Sequence, residues 1–83
     1  MNTTITNHKT VVLDLRTTQP NERRFRVFDV FDNLRIGDTL KVVYSHDLQP
    51  LYYRLLAERR GEFVWQSEEE SPEEWAAWIK KVR

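Results

Sequence analysis

Residues 71–83, "SPEEWAAWIKKVR", decide the fold, because they read both as a helix and as a strand. In the helical reading Ser71 is the N-cap, Pro72 the first helical position and Glu74 the glutamate of a capping box. Trp75, Trp78, Ile79 and Val82 then share one face. In the extended reading Trp75, Ala77 and Ile79 alternate along one side of a strand. Local signals alone favour the helix.

The elements upstream are less ambiguous. "EFVWQ" (62–66) is a strand with Phe63 and Trp65 on one face. "SHDLQPLYYRLLAERRG" (45–61) carries a helix whose buried stripe is Leu48, Leu51, Tyr52 and Leu55. Asp47 is placed to accept a backbone N–H of its first turn, and Pro50 is tolerated there. Arg59 and Arg60 suit the negative C-terminal end, and Gly61 the left-handed closing position. "TLKVVYS" (39–45) is a strand with Leu40, Val42 and Tyr44 on one side.

"ERRFRVFDVFDNL" (22–34) places Val27, Val30, Phe31 and Leu34 on one helical stripe, ended through Gly37. Glu22 and Arg26 have the spacing of an i,i+4 pair. "VVLDLR" (11–16) alternates as the first strand. The polar residues 1–10 are expected to be a flexible tail, leaving residues 11–83 as one domain. A strand–helix–strand unit with short connections implies parallel strands. Both strand-to-helix turns, 16–22 and 45–49, then fall at one edge of the sheet, where open α/β sheets tend to hold ligands.

The bulk composition narrows the chemistry. A chain of 83 residues buries roughly 60% of the surface it exposes when unfolded, so the core is small. Thirteen basic and thirteen acidic side chains cancel, which argues against nucleic acid as a partner. The charges are nevertheless segregated. Glu62, Glu68, Glu69, Glu70, Glu73 and Glu74 run without an intervening base, and Arg16, Arg23, Arg24 and Arg26 lie together. Two solvated faces are the preferred reading; a basic patch for an anion or acidic partner is the sharper one. There is no cysteine, so thiolate ligation and thiol nucleophiles are excluded. No run approaches the ~20 apolar residues of a membrane span, and no apolar N-terminal run resembles a signal peptide. A cytoplasmic protein is expected.

The chain between residues 11 and 82 resembles a bacterial family catalogued as domain of unknown function twenty-two forty-nine. The most specific pieces are "HDLQPL" (46–51) and "AERRGEF" (57–63). That family resembles the TusA/SirA sulfur carriers, which implies a two-layer β-α-β-α-β-β sandwich with a mixed four-stranded sheet and two helices on one face. It also implies that residues 71–82 form a fourth strand, with Trp75, Ala77 and Ile79 inward; this expectation is adopted over the capping signals. Pro20 stands about where the carriers hold their cysteine, so sulfur relay is excluded. Arg24 replaces a histidine of the family pattern, and Leu48 replaces a proline.

The candidate ligand-binding residues at the shared rim are Arg16, Arg23, Arg24, His46 and Asp47, with Asp14 just behind. Three readings compete. In the preferred one Asp47 caps its helix, Asp14 pairs with an arginine and His46 is a polar loop residue. In the second, arginines and two helix N-termini hold a small anion or an acidic peptide. In the third, His46 and Asp47 bind a metal, but two adjacent ligands are too few and His8 lies in the tail. Ser45, His46 and Asp47 are sequence neighbours, not an oriented triad.

The expectation is therefore a cytosolic accessory or interaction module, without enzymatic activity, cofactor or metal. A protein partner is expected, with no nucleic acid and no membrane, in a monomer or weak dimer. The resemblance implies a setting in redox or nitrogen-oxide metabolism, since family members often accompany or are fused to hemerythrin-like and iron–sulfur-repair-type proteins. The rival is an anion-binding module built on Arg16, Arg24 and His46; a metal-dependent redox or sulfur-handling protein, which would require a ligand or thiol from a partner, comes third.

Overall fold

Apolar residues recur every second position in some stretches and every third or fourth in others, and each change of period marks a change of element. A computed structural model describes residues 7–83. β1 spans Thr10–Asp14, α1 Arg23–Asp32, β2 Thr39–Tyr44, α2 Gln49–Glu58, β3 Phe63–Ser71 and β4 Glu74–Lys81. Two short 3-10 turns, Leu15–Thr17 and Pro20–Glu22, join β1 to α1. The four strands form one mixed sheet in the order β1-β2-β4-β3, with β1 parallel to β2 and β4 antiparallel to both its neighbours. This is the expected α+β sandwich.

The contested segment is a strand. β4 pairs with β2 from Trp75 to Lys80 and with β3 along nearly its whole length, so both of its backbone edges are satisfied. Ala77 and Ile79 are fully buried, and Trp75 packs against the same core. The capping signals are real but serve a hairpin. Ser71 Oγ accepts the Glu73 N–H at 3.4 Å across the Pro72–Glu73 turn. A serine hydroxyl can satisfy a backbone donor in a turn as well as at a helix end, so local chemistry could not separate the two. β3 runs on past "EFVWQ" through the glutamates to Ser71, with a register break between Glu69 and Ser71.

The core lies between the sheet and the helices. Leu13, Leu40, Val42, Ala77 and Ile79 rise from the sheet. Val27 and Phe31 meet them from α1, and Leu55 from α2. Leu48 precedes α2 as its N-cap residue, with its carbonyl accepting the Tyr52 N–H. Among the described residues Glu22 and Arg26 form no ion pair, because Glu22 belongs to the 3-10 turn and lies outside the α-helical spiral. α1 ends on Asn33, whose side-chain amide donates to the Asp29 carbonyl at 2.7 Å. Gly37 lies beyond that end, in the turn before β2, with φ of 99°. An added Cβ there would meet the ring of His8.

Of the tail expected over residues 1–10, residues 1–6 lie outside the described residues and the remainder meets the sheet. The Lys9 N–H donates to Asp38 Oδ1 at 3.1 Å, its carbonyl accepts from Thr39 N–H at 3.0 Å, and Thr10 opens β1. Asp38 is a buried charge, 2% exposed. The Lys9 N–H, joined by that of Arg35, holds its carboxyl below the ordinary carboxylate range despite desolvation. No helix among the described residues is long and apolar enough to cross a membrane.

Candidate functional site

Because β1 and β2 are parallel, the turns that leave them emerge at one edge of the sheet. α1 and α2 both begin there, and between their first turns lies a cleft of about 410 Å³. Its floor is apolar, from Leu15, Val27, Leu48, Pro50 and Leu51. Its polar lining comes from Arg23, Arg24, Tyr44, His46, Asp47 and Arg54. A recess of this size with few polar groups over an apolar base has the make-up of a small-molecule or side-chain site.

Tyr44 organises one wall. It ends β2 on the same face as Leu40 and Val42, so its ring lies beneath the start of α1. Arg23 Nη1 donates to the Tyr44 hydroxyl at 2.8 Å, and the guanidinium carbon stands 4.9 Å from the ring centroid. The Arg23 Nε is buried without a hydrogen-bond partner among the described residues. Leaving that donor unmade is costly, and attraction to the ring face offsets part of the cost. The His46 ring meets Tyr44 edge-on, with centroids 5.3 Å apart. Arg23 thus lies over the Tyr44 ring and His46 meets that ring edge-on, so the three are in contact along the cleft.

Asp47 performs the structural task expected of it. Its Oδ1 accepts the N–H of Gln49, the first residue of α2, at 2.9 Å. No hydrogen bond joins Ser45, His46 and Asp47 through their side chains among the described residues. Nor do three or more histidine, aspartate or glutamate side chains come together to hold a metal ion among them.

Four of the five residues proposed from sequence therefore share the cleft: Arg23, Arg24, His46 and Asp47. Arg16 does not. Its Nε and Nη2 grip the two oxygens of Asp14 at 3.0 and 2.8 Å, and its Nη1 reaches Glu74 at 3.4 Å. Asp14 pairs in register with Val43, and Val43 with Ala76, on the sheet face turned away from the helices. Arg16 thus lies over the outer face of the sheet. Hydrogen bonds from its side chain, chiefly, hold the Asp14 carboxyl below its ordinary range.

Arg54 and Tyr44 were missed as site residues. Arg54 lies seven positions after Asp47 and four after Pro50, on the helical face that continues the cleft. That spacing was legible. Tyr44 was read only as a core-facing strand residue, and its polar use depends on which arginine arrives above it.

The chain belongs to the family described as an uncharacterized conserved protein (DUF2249), whose model matches residues 12–81. No curated protein and no solved structure matches it.

Proposed function

We propose that this family member is a binding module without chemistry of its own, and that its cleft holds the anionic group of a small acid or of an acidic peptide. One observation carries the reading. The guanidiniums of Arg23, Arg24 and Arg54, with His46, line a cleft whose one carboxylate among the described residues, Asp47, accepts the Gln49 N–H, and Arg54 also pairs with Glu58 at 3.7 Å. Arginine forks suit carboxylate and phosphate, and the apolar floor takes the hydrocarbon part of the ligand. The two helix N-termini that open beside it favour negative charge as well.

The β-α-β-α-β-β order supports the sulfur-carrier-like reading of the fold, and the lack of cysteine favours recognition over sulfur transfer. The cytoplasm, and an accessory place beside redox or nitrogen-oxide proteins, is the setting that goes with this reading.

The test is an amide NMR titration of the isotope-labelled protein with phosphate, sulfate and acetate, then with zinc and ferrous iron. Saturable shifts confined to Leu15, Arg23, Arg24, residues 44–51 and Arg54 are expected with the anions, and they weaken in Arg54→Ala. Shifts scattered over the surface, or shifts at His46 and Asp47 with the metals alone, would overturn the reading.

A further inference from the structure

A second site lies away from the cleft, along β3. β3 is the last strand of the sheet, so one of its backbone edges has no strand partner among the described residues. Which residues face that edge follows from two hydrogen bonds. The Glu62 carbonyl accepts from Val82 N–H at 2.9 Å, so Glu62 and every second residue after it point toward β4. Lys81, which is paired with Phe63, instead directs its N–H and carbonyl to Asp38 and Gly37. Phe63, Trp65 and Ser67 therefore present free N–H and C=O groups outward. Their side chains line a groove of about 470 Å³ under Tyr52 and Leu56 of α2.

A free strand edge beside a groove under a helix has the form used for strand addition: main-chain hydrogen bonds give affinity, and the groove receives alternate side chains. Further along the same strand come Glu68, Glu69 and Glu70, all exposed. In an antiparallel pairing centred on this run, a second copy of this chain would set its own glutamates against these, and opposed like charges destabilise that register. A basic partner meets the opposite situation. We infer that the β3 edge captures an extended segment of a protein partner, apolar at alternate positions and rich in lysine or arginine where it passes Glu68–Glu70. The module then has two recognition surfaces of opposite charge preference, the cleft for an anionic group and the strand edge for a cationic peptide.

The probe is an acetylated synthetic peptide of about ten residues, long enough to span a strand of this kind, that alternates valine and threonine and ends in a lysine run. Binding should slow amide exchange at Phe63, Trp65 and Ser67 and leave Val64 and Gln66, already bonded to β4, unchanged. Ser67→Pro removes an outward donor and no bond to β4, which an edge strand tolerates; it should weaken the peptide by about tenfold with the amide spectrum still that of the folded chain. Replacing Glu68, Glu69 and Glu70 together by glutamine should weaken it by about tenfold in low salt and abolish the salt dependence. The inference is overturned if exchange slows at Arg23 or His46 instead, if the same peptide ending in glutamates binds equally well, or if neither variant weakens binding.

Discussion

Asp47 both holds the start of α2 and lines the cleft, and replacing it tests the two places separately. In Asp47→Ala the Gln49 N–H loses the acceptor that stood 2.9 Å away. Asp47 is exposed, so water reaches the abandoned donor and the loss stays near the middle of the range for helix-start residues, about 1 kcal/mol. For a domain of 83 residues that lowers Tm by about 4–8 °C. Asp47→Asn keeps an oxygen in the same place and forfeits only the attraction of a negative charge to the start of α2, about 0.3 kcal/mol at an exposed site, or about 2 °C. Thermal unfolding followed by circular dichroism resolves the two. Both variants also remove the one carboxylate that lines the cleft among the described residues, so under the proposed function both should raise anion affinity by about 2- to 3-fold, whatever their Tm. If Asp47→Asn falls as far as Asp47→Ala, the charge and not the acceptor supports α2. If both melt as the parent does, the bond contributes nothing.

The strand assignment of residues 74–81 predicts unequal costs at adjacent tryptophan and isoleucine positions. Ile79→Ala, fully buried in the central strand, should cost about 2–5 kcal/mol in a urea titration. Trp78→Ala, on the outer face beneath Lys41, should cost about 1 kcal/mol, whereas a helix would have placed both side chains in one stripe and made the costs alike. Asp38 predicts an acid-sensitive element of stability. Its folded carboxyl titrates below the ordinary value near 3.9, so its contribution is complete above that pH and is lost as pH falls through the lower folded value. Asp38→Asn should therefore narrow the difference in urea midpoint between about pH 6 and about pH 3. An unchanged difference would assign the acid sensitivity to other carboxylates.

Most of the framework was legible because it follows from periodicity. The stripe of Val27, Phe31 and Leu34, the alternation of Leu40, Val42 and Tyr44, and the cap-like turn at Asp47 all depend on residues within one or two turns of each other. The helix-closing glycine before β2 was misplaced. Asn33 ends α1 through its own side chain, and Gly37 serves instead in the turn before β2, where φ of 99° favours glycine and the ring of His8, from a distant part of the chain, lies close by. The site was legible as an edge, and as four of its residues. Arg16 begins the first strand-to-helix turn and so is expected at that rim, but a bidentate grip on Asp14 carries it over the opposite face of the sheet.

What the residues determined unaided is the two-layer character of the chain, the positions of its helices and the exclusion of thiol chemistry, since each rests on local spacing or on composition. That residues 74–81 are a strand was implied by the family resemblance and not by their local pattern, and the tertiary structure supplies the reason. Ser71, Pro72 and Glu74 satisfy a helix start and a hairpin turn with the same local chemistry, and what tips the balance is a backbone demand from elsewhere. β2 and β3 both need a partner, and a segment that pairs with each of them satisfies hydrogen bonds on both edges while burying Ala77 and Ile79. No window of residues around Ser71 contains that information, because the groups that make the demand lie on other strands.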